Sequence, residues 1–136
     1  MNILDIMSRD VIKVGLKTTV ADAINLMQAH HVRHLVVVTA DGSLVGIVSD
    51  RDLRLASQSP YAVPDVVEAD TFAQAILVEQ VMTVTPYCVS PQHSVSEVAH
   101  QLIEHQISAV PVIHDEILIG IVTSTDLLKV LVAQPL

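Results

Sequence analysis

The chain has 136 residues, 51% of them hydrophobic, with two Tyr, one Phe and no Trp, which favours one compact domain or two small units with an aliphatic core. Its net charge of −8 argues against a general nucleic-acid-binding protein, because such proteins need basic patches to replace phosphate counterions. No apolar run is long enough to span a bilayer and the N-terminus lacks a signal-peptide pattern, so we expect a cytoplasmic protein without membrane insertion.

The first part of the chain predicts a strand, a helix, a hairpin and a second helix. An extended run covers Val11 to Val14, and apolar residues at helical spacing follow it, at Val20, Ala23, Ile24 and Met27. Two β-rich runs, Arg33 to Val38 and Leu44 to Ser49, flank Asp41-Gly42, a pair typical of a hairpin turn. The closing helix then starts with almost no loop.

A segment of different character, Gln58 to Val78, comes next. Pro60 and Pro64 interrupt it, and helical spacing from Val66 to Met82 predicts a linker helix. The first pattern then recurs, with an extended run at Tyr87 to Ser90, helical spacing at Val95, Val98, Ala99 and Leu102, and a hairpin of Ser108 to Ile113 with Ile117 to Thr123.

The duplication predicts an α+β fold of two tandem β-α-β-β-α repeats. We place repeat 1 at residues 1–57, the linker with its helix at 58–78 and repeat 2 at 79–136. A repeat of this size is marginally stable alone, so we expect the two to pack about a pseudo-two-fold axis. The last helix, "DLLKVLVAQ", is apolar on nearly every side, which predicts a homodimer.

One phrase occurs in both halves, "GIVSDRDL" at Gly46 to Leu53 and "GIVTSTDL" at Gly120 to Leu127. In each, a strand passes directly into a helix, whose first amide groups and dipole favour an anion. A carboxylate in the first turn could accept two hydrogen bonds from the diol of a ribose. The alternative is a capping box, since Ser/Thr-x-x-Asp also satisfies helix amides without a ligand. The same pattern occurs at Thr19 to Asp22 and Ser94 to Glu97.

With these two motifs in register with every other element, the chain resembles a pair of cystathionine β-synthase (CBS) domains, also called a Bateman module. The resemblance covers nearly the whole chain apart from Gln58 to Val78. The phrases "VRHLVVV" and "GIVSDRDLRLAS", with the helical insertion, are most similar to CBS proteins of acetoin-utilisation operons.

The resemblance implies a regulatory module that binds AMP, ADP, ATP or S-adenosylmethionine in clefts between the repeats, without a metal. Asp52 and Asp126 would accept from ribose hydroxyls, and Ser49 and Thr123 would lie beside the phosphate. Val11, Ile12 and Leu35 would line the first adenine pocket, and Pro86, Tyr87 and Val110 the second. The other implied ligand-binding residues are Arg33, His34 and Arg51 in the first cleft and Thr125 in the second.

The two clefts differ in charge. Arg33, His34 and Arg51 of the first can meet phosphate, whereas Ser108, Ala109 and Thr125 stand in the corresponding places of the second. We therefore predict that a phosphorylated ligand prefers the first cleft and that the second is weaker, empty or takes a less anionic adenosyl ligand.

Other candidates are weaker. The run "HHVRH" contains His30, His31 and His34, but two ligands at this spacing need one continuous helix and a strand is predicted to start at Val32, so we predict no metal site. Cys88 is interpreted as a buried, inert thiol.

No spacing indicates a catalytic arrangement, so we expect a ligand-sensing regulator that acts on a separate protein, and not an enzyme. Two alternatives remain open: a structural homodimerisation module with vestigial clefts, and a metal-dependent enzyme that uses the His cluster.

Overall fold

The computed structural model of the protein describes residues 2–57, 74–84 and 87–134. The chain divides into two compact units. The first-repeat unit is Ile12–Thr85, and the second-repeat unit combines Met1–Val11 with Pro86–Leu136. Helices and two β-sheets make up the described residues, which confirms the predicted α+β class. A short helix, α1 (Ile3–Ile6), opens the chain and belongs to the second-repeat unit.

The first-repeat unit is built on a four-stranded sheet. Its strands lie in the order β1 (Lys13–Gly15), β2 (His34–Val38), β3 (Leu44–Ser49) and β4 (Thr83–Val84). β1 is parallel to β2 because helix α2 (Val20–His30) connects them, and the other neighbours are antiparallel. Helix α3 (Asp50–Ser57) begins directly after β3, and a 3₁₀ helix, Val78–Gln80, precedes β4.

Helix α2 packs its apolar side on this sheet, as its sequence spacing predicts. Val20, Ala23 and Met27 are buried in one cluster with the sheet residues Leu35, Val37 and Val48 and with Leu53 of α3. The helix is capped at its start by Thr19, whose hydroxyl oxygen accepts a hydrogen bond from the Asp22 amide nitrogen at 3.1 Å. It ends where His31 adopts the left-handed conformation, with a φ of 54°.

The second-repeat unit repeats this plan around a two-stranded sheet. Helix α4 (Val95–His105) leads to the antiparallel pair β5 (Ala109–His114) and β6 (Ile117–Thr123), and helix α5 (Ser124–Ala133) follows. Its core includes Val98 and Leu102 of α4, Val110 and Val112 of β5, Val122 of β6 and Ile3 of α1.

Two isolated bridges stand at the places that β1 and β4 take in the other unit. Val89 pairs in parallel with Val112 of β5, and Ser8 pairs antiparallel with Ile121 of β6. Each sheet is therefore extended by the segment that precedes the other repeat: Thr83 pairs with Ile47 of β3, as Ser8 does with Ile121.

These added segments explain the glycine that opens the repeated phrase. A Cβ at Gly120 would lie 2.8 Å from the Ser8 carbonyl oxygen, and one at Gly46 would lie 3.2 Å from that of Thr83. Met7 and Met82 lie over the same two glycines. Gly46 and Gly120 are thus required by close backbone approach, and neither has the positive φ that would demand glycine for its conformation.

Proline accounts for the shorter first strand of the second unit. In the first-repeat unit the Val36 amide donates to the Ile12 carbonyl, at 3.1 Å, and β1 follows. The counterpart of Val36 is Pro111, which has no N–H to donate. The Pro111 carbonyl still accepts from Val89, at 3.0 Å, so the predicted strand at Tyr87 to Ser90 is reduced to a bridge at Val89.

Most of the predicted linker helix lies outside the described residues, since these omit 58–73. Gln74 and Ala75 are helical, and Leu77 then bridges to Thr19. The boundaries drawn at 1–57, 58–78 and 79–136 stay a prediction. Within the described part of the chain, no helix has both the length and the apolar character to cross a membrane.

Candidate functional site

The repeated phrase forms two strand–helix junctions, Ser49–Asp52 and Thr123–Asp126, called here the first and second junction. At the first, the Ser49 hydroxyl accepts from the Asp52 amide (3.1 Å) and Asp52 Oδ2 accepts from the Ser49 amide (3.0 Å). At the second, Thr123 accepts from the Asp126 amide (3.1 Å) and Asp126 Oδ2 accepts from the Thr123 amide (2.9 Å). Both junctions are therefore complete capping boxes.

The other two helices with the same pattern are capped in one direction. Thr19 accepts from the Asp22 amide and Ser94 from the Glu97 amide, at 3.1 and 3.0 Å, and neither carboxylate takes part in a return bond. The two junctions thus differ from these caps in that their carboxylates are fixed against the end of the strand. Both aspartates are half-buried, whereas Asp22 and Glu97 are exposed.

The helix amides at the junctions are less available than the sequence analysis expects. The Asp50 amide donates to the Arg33 carbonyl at 2.8 Å, and the Ser124 amide to the Ser108 carbonyl at 2.9 Å. The Ser49 and Thr123 hydroxyls accept hydrogen bonds from the amides of the aspartates three residues later, Asp52 and Asp126. Among the described hydrogen bonds, one early amide in each helix has no acceptor, that of Arg51 or Thr125. Of the first amide groups that were expected to favour an anion, two at each junction therefore already have a protein acceptor.

The first junction gathers most of the residues predicted for the first cleft. His34 pairs with Ser49 across β2 and β3, Arg33 precedes His34, and Arg51 lies on the first turn of α3. Ile12 lies beside β2, where its carbonyl accepts the Val36 amide. Leu35 is 1% exposed and belongs to the core. Val11 is assigned to the second-repeat unit.

The second junction gathers its predicted residues in the same way. Ala109 pairs with Thr123 across β5 and β6, and Thr125 lies exposed on the first turn of α5. Val110 is fully buried and supports the junction from the core. Pro86 lies outside the described residues. Tyr87, at the edge of the sheet near Val89, is 48% exposed.

The charge difference predicted from the sequence concerns exposed side chains. Arg33 and Arg51 are exposed, and no described carboxylate forms an ion pair with either guanidinium, whereas Arg54 pairs with Asp50 at 3.0 Å. At the second junction the corresponding places hold Ser108 and Thr125. Arg33 and Arg51 therefore keep their capacity for bidentate contact with an anion.

The histidine run does not converge. His30 is the last residue of α2, His31 is the left-handed cap residue and His34 starts β2. In the part of the chain that the structure describes, no three His, Cys, Asp or Glu side chains come together as metal ligands.

Cys88 is exposed, so the expectation of a buried thiol is wrong. Partial desolvation nonetheless raises the pKa of its thiol, which disfavours the reactive thiolate at neutral pH.

Sequence reasoning did not find one contact at the second unit, the stacking of Tyr87 on His105. Their ring centroids are 3.9 Å apart and the ring planes make an angle of 31°. The repeat aligns His105 with His30, but only the folded chain shows that a helix end and a strand edge meet there.

The geometry agrees with the comparison with known families. The CBS domain family matches the chain twice, over residues 3–59 and 78–133. The chain therefore belongs to the CBS domain family and carries a pair of CBS repeats, which confirms the resemblance found in its sequence.

Several relatives share this pair over most of their length. A CBS domain-containing protein of Dictyostelium discoideum is 32% identical over 93% of this chain and 88% of its own. Hypoxic response protein 1 of Mycobacterium tuberculosis is 30% identical over 92% of this chain and 81% of its own. Inosine-5'-monophosphate dehydrogenase of Methanocaldococcus jannaschii is also 30% identical over 92% of this chain, but the match covers only 22% of that enzyme.

Solved structures show the same fold. A Vibrio cholerae protein described as the acetoin utilization protein AcuB is 30% identical, with a TM-score of 0.75, and the match covers 97% of this chain and 90% of that one. The CBS domain pair of protein MJ0100, solved with 5'-methylthioadenosine and S-adenosyl-L-methionine, is 26% identical with a TM-score of 0.81, over 99% of this chain and 98% of that one.

Proposed function

We propose that this chain is a regulatory protein that binds an adenosyl ligand at its two junctions and thereby controls a separate partner protein. The observation that carries the proposal is the duplicated, fixed carboxylate: Asp52 and Asp126 are each held by a return bond to the strand-end amide, at 3.0 and 2.9 Å. Binding of S-adenosyl-L-methionine by the related MJ0100 pair supports this ligand class.

Capping and ligand binding are compatible at these junctions. The return bond uses Oδ2 of each aspartate, and the described residues offer no hydrogen bond to Oδ1. A carboxylate has about four acceptor positions, so the cap leaves enough of them for the two hydroxyls of a ribose. The cap also fixes the side-chain rotamer, which lowers the entropy cost of binding.

The two junctions are proposed to prefer different ligands. The first, where Arg33 and Arg51 form no ion pair with a described carboxylate, suits AMP, ADP or ATP because guanidinium groups bind phosphate in bidentate geometry. The second offers Ser108 and Thr125 and suits a ligand without phosphates, such as S-adenosylmethionine or 5'-methylthioadenosine. No metal is needed for either.

The test is a calorimetric and thermal-shift titration of the wild-type chain and matched variants with AMP, ADP, ATP, S-adenosylmethionine and zinc. A ligand at about 100 times its Kd adds about 2.7 kcal/mol, which raises Tm by several degrees. Asp52→Asn should abolish the shift by the phosphorylated ligands, and Asp126→Asn the shift by S-adenosylmethionine.

The chain supplies its own controls for this test. Asp22→Asn and Glu97→Gln change carboxylates of the same pattern that take no return bond, so both should leave every ligand shift intact. A panel without any shift, or equal loss in all four variants, would contradict the proposal. A shift by zinc that the His34→Ala variant lacks would favour the metal-enzyme alternative.

The alternative of a structural dimerisation module is favoured by the surface of α5. Leu128, Leu131 and Val132 are 59, 65 and 86% exposed and lie on one side of the helix, where a second copy could cover them. Light scattering at micromolar concentration should give a dimeric mass, and Leu131→Glu should give a monomeric one. A dimer that binds no adenosyl compound would leave dimerisation as the function, and a monomeric wild type would exclude it.

A further inference from the structure

The stacking of Tyr87 on His105 is supported from the side of His105. His105 is the last residue of α4, and its Nε2 lies 3.0 Å from Gln101 Oε1, one helical turn earlier. This contact joins the side chains of His105 and Gln101 on one face of the helix. The imidazole is therefore fixed by the helix and by Gln101, and its ring face supports Tyr87 at a centroid distance of 3.9 Å.

The backbone around Tyr87 gives less support than in the other unit. Ile12 is the counterpart of Tyr87, and its carbonyl is held by the Val36 amide, while Ile12 itself packs against the core. Pro111 replaces that amide donor, so the carbonyl of Tyr87 lacks the equivalent bond. The position of Tyr87 therefore depends more strongly on the contact with His105.

The contact with His105 covers Tyr87 only in part. Tyr87 remains 48% exposed although one of its faces meets the imidazole, so the ring can accept a second planar partner. Stacked and offset aromatic rings attract each other, and a purine is such a partner. His30, the counterpart of His105, makes no ring contact in the described residues.

We propose that His105 is a positioning residue, which holds Tyr87 as a preformed platform for the base of the ligand bound at the second junction. This inference rests on the proposed function. It makes the second junction the one that recognises an intact purine by stacking, whereas the first depends more on the charge of the phosphates.

Calorimetric titration with 5'-methylthioadenosine tests it, because this probe has a purine and a ribose but no phosphate. Tyr87→Ala should weaken binding about 5- to 150-fold, the range for loss of one base–aromatic stack. His105→Ala should weaken it about 2- to 10-fold, as for loss of an aromatic pair. His105→Phe, which keeps a ring, should restore affinity to near the wild-type value.

His30→Ala is the matched control, since it removes the same residue type from the same helix position in the other unit. It should leave the affinity unchanged. A second readout needs no ligand: the Tyr87 ring-proton resonances should lose their ring-current shift in His105→Ala and regain one in His105→Phe.

The outcomes separate the two proposals. If neither the wild type nor any variant binds an adenosyl compound, the proposed function fails. If the wild type binds and Asp126→Asn does not, but His105→Ala keeps full affinity, the role of His105 is refuted while the function stands. Equal weakening by His105→Ala and His105→Phe, or by His30→Ala, would refute it as well.

Discussion

The two units share their backbone plan and differ in the side chains placed on it. Both junctions have the same reciprocal caps. In both, the first helix amide donates a hydrogen bond to the carbonyl just before β2 or β5, that of Arg33 or Ser108. Around this common frame, the first unit carries Arg33 and Arg51, and the second carries Tyr87 on His105.

The features that both units keep are those on which the backbone depends. Caps and close-packed glycines are retained in both copies because each satisfies backbone groups or allows two chain segments to approach. Exposed positions around the junctions have no such duty, so charge there can differ without loss of the fold. We propose that these divergent positions set the ligand preference of each junction.

Substitutions at the shared glycines, Gly46 and Gly120, should change stability most. Gly120→Ala should destabilise the protein by about 2–3 kcal/mol, because its Cβ would press on the Ser8 backbone oxygen and overpacking at a rigid contact is costly. Gly46→Ala should cost less, about 1–2 kcal/mol, since the Thr83 oxygen is farther away. Urea unfolding measures both.

Gly15→Ala is the control for this pair, because a Cβ at Gly15 meets no atom within 4 Å. It should change stability by less than about 0.5 kcal/mol. If Gly46→Ala proved more damaging than Gly120→Ala, the added segments would not pack as described.

A smaller effect is expected from variants that exchange a charged side chain between the two junctions. Thr125→Arg introduces at the second junction the counterpart of Arg51, and it should raise ATP affinity there about tenfold, the magnitude of one charge-assisted hydrogen bond. Arg51→Thr should lower affinity at the first junction by a similar factor. Titration in Asp52→Asn and Asp126→Asn backgrounds isolates each junction.

Thr125→Lys is the control for the geometry of this contact. Lysine supplies charge without a planar fork, so it should raise affinity less than arginine does. Equal ATP affinity at both junctions of the wild-type chain, or no response to Thr125→Arg, would show that these exposed positions do not set the preference.

Much of the fold was predictable because it rests on periodic signals. The spacing of Val20, Ala23 and Met27 predicts the buried side of α2, and both hairpins lie where the β-rich runs predict them. The shortened strand at Val89 was not predicted, although its cause, Pro111, is visible in the sequence. Recognising it required knowing which side of β5 faces that strand.

The site was predictable only where local sequence fixes local geometry. Capping at Ser49–Asp52 and Thr123–Asp126 follows from residues three positions apart. Two other contacts depend on tertiary packing, which residue spacing along the chain does not reveal. One is the hydrogen bond from the Asp50 amide to the Arg33 carbonyl, and the other is the stacking of Tyr87 on His105.

The smallest effect distinguishes the two hairpin turns. The first turn has Gly42 at a φ of 88°, whereas the second holds Asp115 and Glu116 at 49° and 66°, a conformation that L residues other than Asn and Asp adopt at a cost. Glu116→Gly should therefore stabilise the protein by about 0.5–1 kcal/mol, measured by urea unfolding.

The converse change, Gly42→Ala, should destabilise by a similar amount. Because a Cβ at Gly42 meets no atom within 4 Å, its cost would come from backbone conformation alone. If Glu116→Gly were neutral or destabilising, the greater backbone freedom that glycine gives the unfolded chain would outweigh the relief of the left-handed conformation.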